Sequence, residues 1–280
     1  MLLRYDDEGS GPAVVLLHSA VCDRRMWDPQ RAGLTSRFRV VRPDLRGFGE
    51  TPLPAEQFGF ADDVVALLDR LDIGRAAVVG SSMGGRVALE LAAGWPDRVN
   101  ALVLLCPAFR GVDSTAAADE FEEREETLLE AGDIDGAVEL NVATWLGPEA
   151  SKETRKLVAL MQRHAFDVQL AAEEGDDVPE LDAVNPDLAD IRAPTLIVSG
   201  DLDMDHFRNV AAHLHDTVAG SQPGHSHLGQ PSAEPGTAGR HNRPSHHFPR
   251  RDTGLDAGVT GRPTQKSSIE RWRSVFDTTD

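Results

Sequence analysis

Gly80, Ser81, Ser82, Gly84 and Gly85 crowd together in "AAVVGSSMGGRVALELAA" (76–93), where an apolar run gives way to a helical pattern. Gly80, Ser82 and Gly84 satisfy G-x-S-x-G in a strand–turn–helix setting, the context that gives this motif its meaning. So tight a turn leaves no room for Cβ atoms two positions either side of its centre. It also forces the central residue into a strained conformation that lifts its hydroxyl clear. Ser82 is therefore expected to be a nucleophile, with Ser81 its spacer. A serine hydroxyl attacks poorly at neutral pH, so the chemistry requires a base, and an acid to orient that base. The tetrahedral oxyanion requires N–H donors; Met83 N–H, at the start of the helix, supplies one.

The elements around this turn alternate. "AVVLLH" (13–18), "FRVVRP" (38–43), "AAVVG" (76–80), "ALVLLC" (101–106) and "PTLIVSG" (194–200) read as buried strands, apolar on both faces. "FADDVVALLDRLD" (60–72) and "GGRVALELAAGW" (84–95) carry helical spacing. The alternation implies a parallel sheet with helices on both faces. The acidic interval 110–190 is helical and offers no strand. It is expected to be a lid over the ligand-binding edge, with a separate helical domain as the alternative.

The 280-residue chain has a net charge of −18, which argues against nucleic acid or an anionic membrane as partner. It opens without the basic and apolar regions of a secretory signal and has no apolar stretch of membrane-spanning length. Cys22 and Cys106 cannot make a disulfide framework, so a cytoplasmic protein is expected. From about residue 220 the texture changes. That tail holds 8 basic and 6 acidic side chains, is rich in Gly and Pro, and has few aliphatics before "SSIERWRSVFDTTD". Such a segment reads as poorly ordered.

Several motifs in order resemble the α/β-hydrolase superfamily over about residues 10–220: "VVLLHSAVCDRRMWDPQ" (14–30), "VVRPDLRGFGET" (40–51), "VVGSSMGG", "RVNALVLLCPA" and "APTLIVSGDLD". "HSAVCDRRMWDPQ" with "GSSMGG" is most similar to the type that opens 3-oxoadipate enol-lactone. The resemblance implies an α/β fold, a mostly parallel sheet flanked by helices. It implies a core of residues 1–109 and 191–219, a helical lid at 110–190 and an atypical tail at 220–280. By resemblance Ala20 N–H is the second oxyanion donor, His18 supports its loop, and Cys22 lines the pocket as a small apolar residue. Asp203 falls on the acid of the G-x-x-D arrangement that Gly200 opens, with Asp201 and Asp205 as competitors. The base belongs in a P-G-x-x-H-x-P loop, and "PGHSHLGQP" offers His227, with His225 beside it. The apolar strand expected just before that loop is missing, as is a final core helix. The tail histidines equally fit a His-rich disordered stretch, and a frameshift or recombination near codon 220 would account for both. Asp44 and Arg46 are expected to brace a turn, while Trp145, Met161 and Phe166 line a substrate pocket or pack the lid.

These features imply a serine hydrolase acting on a small ester or lactone through Ser82, His227 and Asp203, with no metal or organic cofactor. The alternatives are a carbon–carbon hydrolase or perhydrolase on the same scaffold, and an inactive hydrolase fold with a disrupted C-terminus.

Overall fold

A computed structural model describes residues 3–54, 56–173 and 184–226. Its sheet has seven strands: β1 (Tyr5–Glu8), β2 (Ala13–Leu17), β3 (Arg39–Pro43), β4 (Ala76–Ser81), β5 (Val99–Leu105), β6 (Thr195–Gly200) and β7 (Gln222–Ser226). They are ordered β1-β3-β2-β4-β5-β6-β7, and β1 alone runs antiparallel. All five strands expected from apolar runs are present. Alternation along β2 divides the core: Val15 and Leu17 face one cluster, Val14 and Leu16 the other.

β1 and β7 escaped the apolar pattern for physical reasons. β1 reads YDDE and lies at the sheet margin, where it needs no second apolar face. Its carboxylates meet arginines of β3 instead: Arg42 Nη2 donates to Asp6 Oδ2 at 2.7 Å, and Arg39 Nη2 to Asp7 Oδ2 at 2.7 Å. β7 is the strand expected to be missing. It forms from "QPGHS" inside the supposed tail, because a parallel ladder needs main-chain groups rather than aliphatic side chains. Gly224 suits the position, since a Cβ there would come within 2.9 Å of Val198 Cγ2. The sheet thus continues past residue 219 to Ser226.

On the flanks lie α1 (Asp28–Thr35), α2 (Phe60–Arg70) and α3 (Met83–Gly94). The apolar face of α2 buries Phe60, Val64, Leu67 and Leu68. α3 is the central helix, buried continuously from Met83 to Ala93. Between β5 and β6 come α4 (Ala116–Glu130), α5 (Ile134–Trp145) and α6 (Lys152–Glu173), where the acidic interval predicts helices. Thr115 caps α4 and Asp133 caps α5, each side chain accepting a first-turn N–H. α7 (Asp205–Thr217), absent from the sequence reading, leads from β6 toward β7 and buries His206, Val210, Ala211 and Leu214.

The chain leaves β2 for β3 on one side, then crosses to β4 on the other. The carboxyl ends of β2 and β4, where Leu17 pairs with Gly80, therefore flank a topological switch point, the place where open α/β sheets bind ligands.

Candidate active site

Ser82 sits between β4 and α3 with φ 49° and ψ −116°, a left-handed conformation rare for a residue with a side chain. Strain of this kind costs on the order of 1–3 kcal/mol and persists only where the surroundings hold it. Here the Ser82 N–H donates to Leu105 O at 3.0 Å. Its carbonyl accepts from the N–H groups of Gly85 (2.8 Å), Ala108 (3.0 Å) and Arg86 (3.1 Å). The glycines serve the approach of backbones: a Cβ on Gly80 would strike the Gly84 carbonyl, and one on Gly84 the carbonyls of Leu17 and His18.

A cavity of about 920 Å³ opens beside this turn, lined by Ser82, Met83, Ala20 and Asp203. The loops after β2, β4 and β6 thus bring four of the five expected site residues to one space. The fifth, His227, lies outside the described residues. The described chain ends at Ser226, which pairs with Gly200 at the same sheet edge as Asp203. Trp145, Met161 and Phe166 border the cavity, and Met161 and Phe166 are also packed against neighbouring side chains. Cys22 lines it against Val158 and Met161, its thiol pushed up to about 11 by burial.

Met83 is the first residue of α3, so its N–H has no acceptor within the helix. The loop carrying Ala20 is fixed from behind by His18, which is completely buried. His18 Nδ1 bonds the carbonyl of Ser19 at 2.9 Å, and the same carbonyl accepts the Cys22 N–H at 3.0 Å. Burial holds His18 below the ordinary histidine range. Asp44 and Arg46 brace the following turn, as expected. Asp44 accepts the N–H groups of Arg24 (2.9 Å) and Glu50 (2.8 Å), and Arg46 Nη2 grips Asp63 Oδ1 at 2.7 Å.

Asp203 closes a reciprocal turn: Gly200 N–H donates to its Oδ2 at 2.6 Å, and its own N–H to the Gly200 carbonyl at 3.1 Å. Asp201 lines the cavity too. Asp205 has other partners, accepting the Thr115 hydroxyl at 2.6 Å and the His206 N–H at 2.9 Å. The thiol of Cys106 bonds to Asp203 and is pushed up to about 12, chiefly by burial and then by that carboxylate.

Two lining residues went unnoticed in the sequence, Gln162 of α6 and His206 of α7. Each was legible as inward-facing. Gln162 falls four residues from both Val158 and Phe166, and His206 four before Val210, all of them buried. Arg86, also lining the cavity, pairs with Glu90 at 3.5 Å. Burial lowers the Arg86 pKa and raises that of Glu90 to about 7.

The chain belongs to the alpha/beta hydrolase family, whose model it matches over residues 14–237. An uncharacterised protein of Mycobacterium tuberculosis is 38% identical over 100 residues, 35% of this chain, and the match spans only 29% of that protein's length. The 3-oxoadipate enol-lactonase 1 of Acinetobacter baylyi is 30% identical over 201 residues, covering 69% of this chain and 72% of the enzyme. Among solved structures, a thermophilic esterase from Thermogutta terrifontis superposes with a TM-score of 0.61 at 28% identity, over 80% of this chain and 84% of that one. Among the described residues, no helix is long and apolar enough to cross a membrane.

Proposed function

We propose that the chain is a serine hydrolase that cleaves a small carboxylic ester or lactone. One observation carries this reading: Ser82, held at φ 49°, borders the same cavity as Met83, Ala20 and Asp203. In this mechanism the Ser82 hydroxyl attacks the substrate carbonyl and passes its proton to a histidine, assigned to His227 with His225 as its neighbour. The tetrahedral oxyanion accepts hydrogen bonds from the N–H groups of Met83 and Ala20, each such donor supporting roughly 3 kcal/mol of barrier lowering. Collapse breaks the ester bond, and the alcohol leaves with the proton from the histidine. Water then gives a proton to the same base, attacks the acyl-enzyme, and releases the acid and Ser82. Asp203 fixes the imidazole tautomer and stabilises its cation.

In the same reading α4–α6 form the lid, the substrate is a small molecule, and no metal or organic cofactor takes part. A cytoplasmic setting goes with two cysteines that are not joined, Cys22 and Cys106. The reading is supported by the enol-lactonase and esterase relatives. A fluorophosphonate probe tests it: labelling of the full chain that vanishes in Ser82→Ala is expected. Folded protein that takes no label overturns it.

A further inference from the structure

Three aromatic rings from three helices meet in the wall of the cavity that Ser82 borders. Phe121 of α4, Trp145 of α5 and Phe207 of α7 all line it, and each is half-buried rather than enclosed. The Phe121 and Trp145 ring centroids lie 4.8 Å apart with their planes at 67°, and those of Trp145 and Phe207 lie 5.5 Å apart at 87°. These are edge-to-face contacts, the arrangement that ring quadrupoles favour. The rings therefore form one continuous patch.

Hydrogen bonds hold the patch in place. Trp145 Nε1 donates to Asn141 Oδ1 at 2.9 Å, and Asn141 Nδ2 donates in turn to Glu125 of α4 and to the Ala137 carbonyl (3.0 Å). Asn141 is only 2% exposed, so the single polar atom of the indole is spent between α4 and α5. The Thr115 hydroxyl, at the start of α4, donates to Asp205, two residues before Phe207. What the three rings offer a ligand is hydrocarbon surface.

Size and charge point the same way. A volume of about 920 Å³ suits a drug-sized molecule rather than the smallest esters. Arg25 and Arg86 line the cavity, but each pairs with a carboxylate: Arg25 Nη2 lies 2.6 Å from Asp23 Oδ2, and Arg86 Nε 3.5 Å from Glu90 Oε1. Glu122, Glu125 and Asp201 line it besides Asp203, so a substrate carboxylate would meet an excess of its own charge.

We propose that Phe121, Trp145 and Phe207 form a subsite for a hydrocarbon group, a ring or chain of phenyl size or larger, carried by the ester or lactone that Ser82 cleaves. This rests on the serine hydrolase reading and narrows it. The three side chains bind that group; the bond-breaking steps remain those of Ser82 and its base.

Methyl acetate, methyl 4-phenylbutyrate, methyl 4-cyclohexylbutyrate and the methyl monoester of adipic acid vary the acyl group, and 4-phenylbutyl acetate carries the ring on the alcohol. For the full chain, titrated at constant pH, at least one ring-bearing ester should exceed methyl acetate about tenfold or more in kcat/KM, whereas the adipate monoester should gain nothing. That advantage should fall about fivefold or more in Trp145→Ala and in Phe207→Ala, mainly through KM, and return in Trp145→Phe, whose ring restores the patch. Phe121→Ala replaces either alanine variant should it misfold, and fluorophosphonate labelling of Ser82 accompanies every sample. A phenyl ester preferred over the cyclohexyl one marks the guest as aryl, and equal rates mark it as any hydrocarbon; both support the proposal. A labelled chain that favours no ring-bearing ester overturns it, as does a ring preference unchanged in every folded variant, or a preference for the adipate monoester. Absence of labelling in the unaltered chain sinks the hydrolase reading, a different result from an unshifted preference.

Discussion

The Leu45 N–H donates to Nε2 of His18 at 2.9 Å. Nε2 is therefore the acceptor, and the ring proton sits on Nδ1, where it donates to the Ser19 carbonyl. One imidazole thus ties the turn after β3 to the loop that carries Ala20. His18→Ala should lower kcat ten- to a hundredfold with little change in KM, by loosening the Ala20 donor. Steady-state kinetics on an activated ester checks this. The same burial gives a pH signature. The folded chain resists protonating His18, whereas the unfolded chain takes the proton at about 6.5, so stability held above that pH should be lost as the pH falls below it. Thermal melts of His18→Phe should show a shallower acid slope.

Asp203 and Asp205 separate by partner. Asp203→Asn should cut kcat by two to four orders of magnitude while leaving the fold intact. Asp205→Asn weakens the Thr115 contact that joins α7 to the start of α4, and so should lower Tm by a few degrees with kcat nearly kept. A larger kcat loss in Asp205→Asn would reverse the assignment.

Gly84 and Gly94 lie ten positions apart in α3 and predict opposite outcomes. Gly84→Ala pushes a methyl into the carbonyls of Leu17 and His18 and should cost about 3 kcal/mol or more. A Cβ on Gly94 meets nothing within 4 Å, so Gly94→Ala should stabilise by about 0.5–1 kcal/mol. Urea unfolding measures both.

Glu90 gives the second pH signature, with the reverse sign. Its carboxyl is raised from 4.5 to about 7 by burial, so the folded chain keeps a proton that the unfolded chain has released. The stability tied to that proton is full below pH 4.5 and lost as the pH rises through 7. In Glu90→Gln the fall of Tm between those values should flatten. An unchanged slope would assign the titration to another group.

The middle of the fold was legible because fully buried strands carry apolar residues on both faces, as Val14–Leu17 do. The margins were not: β1 is held by carboxylate–arginine pairs and β7 by main-chain bonding, and neither leaves an aliphatic signature. At the candidate site, Ser82 and Met83 were expected from the steric demand of the tight turn, and Ala20 and Asp203 from the resemblance to the α/β-hydrolase superfamily; all four border one cavity. Gln162 and His206 were not recognised as cavity lining, because spacing along one helix records only the buried face and not what that face borders. Asp205 shows the converse: a carboxylate in the right stretch of sequence spent on a helix junction.

The two ends of the sheet share a property. At one, β1 carries three consecutive acids, of which Asp6 and Asp7 are engaged by Arg42 and Arg39 of β3. At the other, β7 carries Pro223 opposite Ile197, and an imino acid has no hydrogen to offer a newcomer. Among the described residues, neither rim is a good template for accretion of a further ribbon.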